Sequence, residues 1–401
     1  MDENNSASAG RYSHLPEELL GEILDHVPAT VDKMNKMFDV QDEPIQEAIK
    51  KLRDSGLVKK LETDAYSESL IAVDGGVVIE KMSGTDILLA VAVGVEGLTE
   101  DRNSDWKDGK SQFHQWQTVV PHDEANARLG QGVMFLMELT VLANAAHEIR
   151  IMDGTHFTPI LKINSLLSAK EEKAGPEYTQ ALRNFLKETY EKIIPDIPEI
   201  VSSVLKNDKI IAIAKYSSSR DILDSHLDGA DINLDDKTFF TLGLLGGEYT
   251  MPLAVGQSKD ERDRIWSDLH IKCNLDISEK EELNKMLDNA IAPLRTRGID
   301  GKEKQSSLFF TYFKPYEDGP AYRIEIKDSL AKDLPRFERC LMSLKRQIVF
   351  PEIREPFPQY LVDLMAKSVA GGLYAIQEAI RLSPELKIDK GRFNLLFSYR
   401  T

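Results

Sequence analysis

Residues 129–147, LGQGVMFLMELTVLANAAH, carry a single charge, Glu138, between Arg128 and Glu148. The run is long enough and apolar enough for a helix with no face to offer water. Such a helix must be buried against other elements. The chain therefore has to supply a layer on which this helix can lie.

The flanking residues predict that layer. Leu70–Val73, Val77–Lys81 and Ile87–Val95 are short runs rich in Val and Ile, with Gly75-Gly76 and Ser83-Gly84 as turns, which reads as an antiparallel meander. EIRIM ends at Asp153, and KIIAIAKYSSSRD ends near Lys215; both read as strands, separated by helix formers at 165–206. The order is strand, strand, strand, helix, strand, helix, strand. That is an RNase H-like α/β fold, a mixed sheet flanked by helices in which a meander leads into a parallel half-sheet. SLFFTYFKPYEDGPAYRIEIKD adds a hairpin; LPRFERCLMSLKRQIV and QYLVDLMAKSVAGGLYAIQEAI add helices.

Upstream, residues 1–13 read as a disordered tail. Residues 14–65 read as an N-terminal winged-helix-like helical unit. Pro16–His26 is amphipathic, TVDKMNKMF makes a second helix, and DEPIQEAIKKLRDSG makes a third. Asp42 can cap the third helix, Pro44 fits its first turn, Ile45, Ile49 and Leu52 form its stripe, and Gly56 can end it. LVKKLE follows as a short strand. Lys50, Lys51 and Arg53 are offset by Glu47 and Asp54, so the unit reads equally as a DNA reader or as a docking module. Residues 66–401 form the main domain, with helical insertions.

Bulk properties narrow the classes. The 401 residues are 42% hydrophobic and 29% charged, as in ordinary globular proteins. Cys273 and Cys340 lie far apart with no CxxC, which points to a reducing compartment. The N-terminus lacks the apolar core of a signal peptide and no apolar run reaches membrane-span length, so a cytoplasmic protein with no membrane contact is expected. The net charge of −16 is the wrong sign for a chain that grips a nucleic-acid backbone by itself. Contact with nucleic acid would have to be local, metal-mediated or helped by a partner.

Asp74 sits after an apolar run and before Gly-Gly, and Asp153 repeats the setting in EIRIMDGTH. In the expected topology the first and fourth strands are neighbours and the long helix packs across them, so Asp74, Glu138 and Asp153 converge. Any one of these acids alone would more readily be paired or solvated. Three together repel one another unless a hard cation joins them. Mg2+ or Mn2+ suits oxygen ligands, and two ions about 3.5–4 Å apart clamp the attacking and leaving oxygens of a phosphodiester. The glycines let a backbone or a phosphate come close. Lys215 ends the next strand and is read either as a catalytic charge on the scissile phosphate or as a surface lysine. Ser217–Ser219 and Arg220 are a phosphate loop or merely a loop. Glu325 is a further ligand or, by strand alternation, a solvent-facing residue. His147 and His156 flank the strand of Asp153, and His156 can assist it. Zinc spacing, GxSxG, the P-loop and GxGxxG are absent.

These segments resemble the NurA family of nucleases. IAVDGG is similar to its first motif, an apolar strand ending in Asp-Gly-Ser. MELTVLANAAHEIRIMDGT is similar to its second, in which a helix glutamate precedes another Asp-Gly-Ser. IAIAKYSSSRD resembles the strand that carries a Lys and a Ser. The resemblance spans residues 65–380. It implies an RNase H-like homodimer that cuts DNA with Mn2+ or Mg2+, with Asp74, Glu138 and Asp153 as metal ligands. It also implies a hexameric HerA-type ATPase partner and a role in DNA end processing or phage restriction. The family's C-terminal motif is a Gly-Tyr-Pro run followed by Ala-His; its nearest counterpart here is GGLYAIQEAI, where Tyr374, Glu378 and Ala379 can be aligned to it, the prolines are absent and Ile380 stands where the His would fall. The competing readings are a non-catalytic adaptor working through residues 14–65 and an RNase H-like enzyme acting on RNA.

Overall fold

The computed structural model describes residues 16–37, 42–62, 67–98, 112–169, 171–185, 197–227, 232–255, 269–274, 280–295, 307–349 and 353–397. The expected tail, 1–13, lies outside them. Ten strands form one mixed sheet in the order β1-β7-β9-β10-β6-β5-β2-β3-β4, with β8 on β9. They are β1 (Val58–Lys60), β2 (Leu70–Lys81), β3 (Thr85–Glu96), β4 (Phe113–Pro121), β5 (Ile149–Asp153), β6 (Ile210–Ala214), β7 (Glu248–Thr250), β8 (Leu253–Ala254), β9 (Leu308–Lys314) and β10 (Tyr322–Lys327). β2, β3 and β4 pair antiparallel, and β2, β5 and β6 pair parallel. The expected meander does lead into a parallel half-sheet, but its strands are different ones.

Gly75-Gly76 is not a turn. β2 runs unbroken through it, with Gly75 opposite Ala92 and Gly76 opposite Val91. The third strand of the meander is instead β4, whose FHQWQTVVP sequence has no clean apolar alternation. It pairs with β3 alone and most of its residues are exposed or half-buried, so no two-sided core shaped its composition.

The helices are α1 (Glu17–Asp25), α2 (Val27–Met37), α3 (Asp42–Asp54), α4 (Asn126–Asn144), α5 (Phe157–Leu167), α6 (Glu171–Asn184), α7 (Ile197–Lys206), α8 (Asp221–His226), α9 (Asp236–Gly243), α10 (Lys280–Ile291), α11 (Asp328–Lys332), α12 (Leu334–Arg346), α13 (Phe357–Lys367), α14 (Val369–Leu382) and α15 (Lys390–Phe397). They cover both faces of the sheet. On one face Ile71, Val73, Met152 and Ala212 pack with α4, α5 and α7; on the other Leu70, Ala72, Ile151 and Ile213 pack with α12 and α13. α4 buries Leu129, Val133, Leu136, Met137, Leu139, Val141 and Leu142. At roughly 1.5–3 kcal/mol for each large apolar side chain, that burial outweighs the several kcal/mol that sequestering one carboxylate costs.

At the N-terminal end, α3 ends as expected at Gly56. Its φ is +77°, and Leu57 N–H donates to the Leu52 carbonyl at 2.9 Å. The strand that follows joins the main sheet. β1 pairs with β7 at the edge of the main sheet, Arg53 pairs with Glu248 at 2.8 Å, and Ile45 and Ile49 pack on Gly243 of α9. No residue of α1 is buried. Among the described residues, no helix is long and apolar enough to cross a membrane.

Candidate active site

The parallel pairing of β2 with β5 runs from Leu70–Ile149 to Val73–Met152. Asp74 and Asp153 are the next residue on each strand. Lys215 follows the last residue of β6. Side chains alternate along a strand. Asp74 is therefore in step with Leu70 and Ala72, Asp153 with Ile149 and Ile151, and Lys215 with Ile211 and Ile213. All three face the side covered by α12 and α13. They cluster at the carboxyl ends of parallel strands, where open α/β sheets bind ligands. Gly154 has a φ of +89°, a left-handed conformation that lets the chain turn sharply off β5 directly after Asp153.

Glu138 arrives from the opposite face, on α4, and is only 4% exposed. It fits because Gly75 has no side chain: a Cβ there would overlap Glu138 Oε1 and lie 3.0 Å from the Val91 carbonyl. Gly76 does the same on the other face, where a Cβ would come within 2.9 Å of the Ala366 carbonyl carbon of α13. The two glycines admit a carboxylate on one side of the sheet and a helix backbone on the other.

The acids are electrostatically coupled. Burial, and then Asp153, push Asp74 up to about 6, against a hydrogen bond of 2.8 Å from Gly75 N–H to Asp74 Oδ1. Burial, with Asp74 and Asp153 adding to it, holds Glu138 well above the usual carboxylate range. Burial opposes the Lys215 ammonium, but Asp153, Glu355 and Asp363 outweigh it and hold Lys215 above its ordinary value. The Lys215 Nζ lies 3.2 Å from Glu355 Oε2, 3.4 Å from Asp153 Oδ2 and 3.8 Å from Asp363 Oδ1. Gln359, 1% exposed, donates from Nε2 to Asp153 Oδ1 at 2.8 Å.

Glu355, Gln359 and Asp363 escaped the sequence reading. They come from a segment far downstream. A signal was nonetheless present: Asp363 is the only charge between Glu355 and Lys367, the same isolation that singled out Glu138. The C-terminal match proposed at GGLYAIQEAI lies one helix further on. Tyr374 is 74% exposed, and Glu378 pairs with Arg381 at 2.5 Å.

The remaining candidates have other partners. Glu325 is not solvent-facing; it is 1% exposed, because β10 is an interior strand covered on both faces. It accepts from His156 N–H at 3.0 Å and lies 3.4 Å from His156 Nδ1 and 3.7 Å from Arg323 Nε. His156 is thereby tied to Glu325, and His147 lies 3.3 Å from Glu96. Arg220 donates to the carbonyls of Ile232 and Leu234 and pairs with Asp224. Ser219 Oγ donates to Asp221.

The donor chemistry of the cluster fits a hard divalent cation. Every candidate ligand is a carboxylate oxygen, and Glu138 Oε1 is buried without a hydrogen-bond partner. The acids are gathered rather than closed into a shell: among the described residues, no three His, Cys, Asp or Glu side chains are spaced to hold a metal ion.

The family model for the NurA domain matches residues 68–337. No curated protein matches the chain. The crystal structure of the NurA nuclease from Sulfolobus solfataricus is similar at a TM-score of 0.47 and 12% identity, over 92% of this chain and 100% of that one. A crystal structure of NurA bound to dAMP and manganese gives 0.46 and 12%, over 94% and 99%. One of NurA with manganese gives 0.46 and 12%, over 88% and 97%.

Proposed function

We propose that this chain, which belongs to the NurA family, is a divalent-metal-dependent DNA nuclease that hydrolyses phosphodiester bonds on an RNase H-like sheet. The observation that supports the reading is that Asp74 and Asp153 follow paired residues of neighbouring parallel strands and both act electrostatically on Glu138, one oxygen of which is buried without a partner. Such an arrangement is costly to fold and gains nothing for stability. Costly buried charge of this kind is where a function is to be sought.

In this reading Asp74, Glu138 and Asp153 hold Mn2+ or Mg2+, as a pair of ions. Bound there, the ions would supply an activated water and neutralise charge on the phosphate. The chain's own residues do the rest. Gln359 fixes the rotamer of Asp153 through Oδ1. Lys215 is held by Asp153, Glu355 and Asp363, and offers its ammonium to a phosphate oxygen. Burial holds Glu138 well above the usual carboxylate range, and a carboxylate must be deprotonated to become a ligand, so affinity for the ion falls in acid.

The family resemblance extends the proposal to a homodimer acting with a HerA-type hexameric ATPase in DNA end processing or anti-phage defence. The net charge of −16 supports a partner that provides the grip on DNA. Residues 14–65 are proposed as a docking module for such a partner.

The test is cleavage of end-labelled single- and double-stranded DNA with Mn2+, Mg2+ or EDTA, beside Asp153→Ala. Metal-dependent cutting lost in the variant is expected. No cutting by the wild type, alone or with its ATPase, would leave the adaptor reading in its place.

A further inference from the structure

Tyr216 directly follows Lys215, and it is 93% exposed. Left in water, the ring adds none of the roughly 1.5–3 kcal/mol that burying a large side chain contributes. The backbone that carries it is anchored on both sides. Lys237 donates to the Lys215 carbonyl, and Asp236 N–H donates to the Ser219 carbonyl at 2.8 Å. The segment that carries the ring is therefore held at both ends. The Lys237 Nζ also lies over the ring, 5.7 Å from its centroid.

We propose that Tyr216 is a stacking platform for a base of single-stranded DNA next to the scissile phosphate. The inference rests on the nuclease reading above. Aromatic rings bind single strands by stacking on bases, and cations beside them add to the attraction. In the nuclease reading Lys215 meets the phosphate at this strand end, and Tyr216 leaves the same strand end on the alternate side, toward Lys237. Bases inside a duplex already stack on their neighbours, so a single ring of this kind takes a base only from an unpaired or frayed end. Tyr216 thereby selects single-stranded ends over intact duplex. It also gives an acidic protein a hold on DNA that does not depend on net charge.

The experiment compares the full-length wild type with Tyr216→Ala and Tyr216→Phe. One readout is quenching of 2-aminopurine in a short single-stranded oligonucleotide, with Ca2+ in place of Mn2+ so that binding is seen without cleavage. The other is the steady-state kinetics of cleavage in Mn2+. Tyr216→Ala is expected to lose the quench, bind about tenfold more weakly and raise KM for single strands by a similar factor, with kcat unchanged. Tyr216→Phe keeps the ring and is expected to match the wild type. The proposal is overturned if Tyr216→Ala matches the wild type, if Tyr216→Phe is as impaired as Tyr216→Ala, or if the wild type binds no single strand. Failure of the nuclease reading looks different. No metal would then support cleavage, while the Tyr216-dependent quench would persist. Metal-dependent cleavage lost in Asp153→Ala, with Tyr216→Ala unaffected, would leave the nuclease standing without its platform.

Discussion

Glu138 Oε1 occupies the space that a Cβ on Gly75 would need. A carboxylate from a helix on one face of the sheet can lie against the strand that carries Asp74 only because that strand has no side chain there. Close packing leaves no slack at such a point.

Gly75→Ala is therefore expected to displace Glu138 and Met134. The cost is about 1–3 kcal/mol of stability, the usual range for overpacking, together with loss of cleavage. Gly371→Ala is the control. It lies in α14 and a Cβ there meets nothing within 4 Å, so a gain of about 0.5–1 kcal/mol is expected from helix propensity. Thermal denaturation of both variants checks the contrast.

Gln359→Leu removes the donor to Asp153 Oδ1 while keeping most of the buried volume. Cleavage is expected to fall about tenfold or more, the scale of losing an outer hydrogen bond to a ligand. Stability should change by about 1 kcal/mol. A melting curve beside a kinetic measurement separates the two. A large fall in melting temperature would make Gln359 a packing residue.

Glu325→Leu leaves Arg323 and His156 buried without their shared carboxylate. Removing one partner of a buried charged group typically costs about 3–5 kcal/mol. Denaturant titration is expected to find a loss of that order. A change near zero would mean that Asp221, 3.4 Å from the Arg323 guanidinium, suffices alone.

Lys327 gives the fold a pH dependence. Burial, only partly offset by Glu325 and Asp328, pushes its ammonium down to about 8, and Nζ has no hydrogen-bond partner. Between about 8 and the ordinary value near 10.4, the unfolded chain binds more protons than the folded one. The contribution of Lys327 to stability therefore rises with pH across that window, and its penalty is fully present below about 8. Lys327→Met is expected to stabilise the protein at pH 7 by on the order of 3 kcal/mol, with the gap closing toward pH 10. Denaturant titrations at several pH values follow it.

Much of this was legible along the chain. Hydropathy marked α4 as buried, and the parallel pair β2 and β5 came from two apolar runs each ending in Asp-Gly. Two strand assignments failed for physical reasons. Gly75-Gly76 looks like a turn because glycine permits one; here it is needed for the absence of Cβ, which local sequence cannot distinguish. β4 is an edge strand, and a strand with one neighbour and exposed sides carries only a weak apolar pattern. Glu325 was misplaced by alternation, because that rule assumes one wet face and β10 has none.

Local order thus decided that α4 is buried, that two apolar runs ending in Asp-Gly become strands, and which acids stand isolated among apolar neighbours. Those depend on periodicity and on the cost of burying charge, both written residue by residue. Tertiary structure alone decided that Glu355, Gln359 and Asp363 close on Lys215 and Asp153. A hydrogen bond that spans 206 residues, as from Gln359 to Asp153, leaves no periodic trace in the chain. It exists only once α13 has packed its backbone against the bare Gly76.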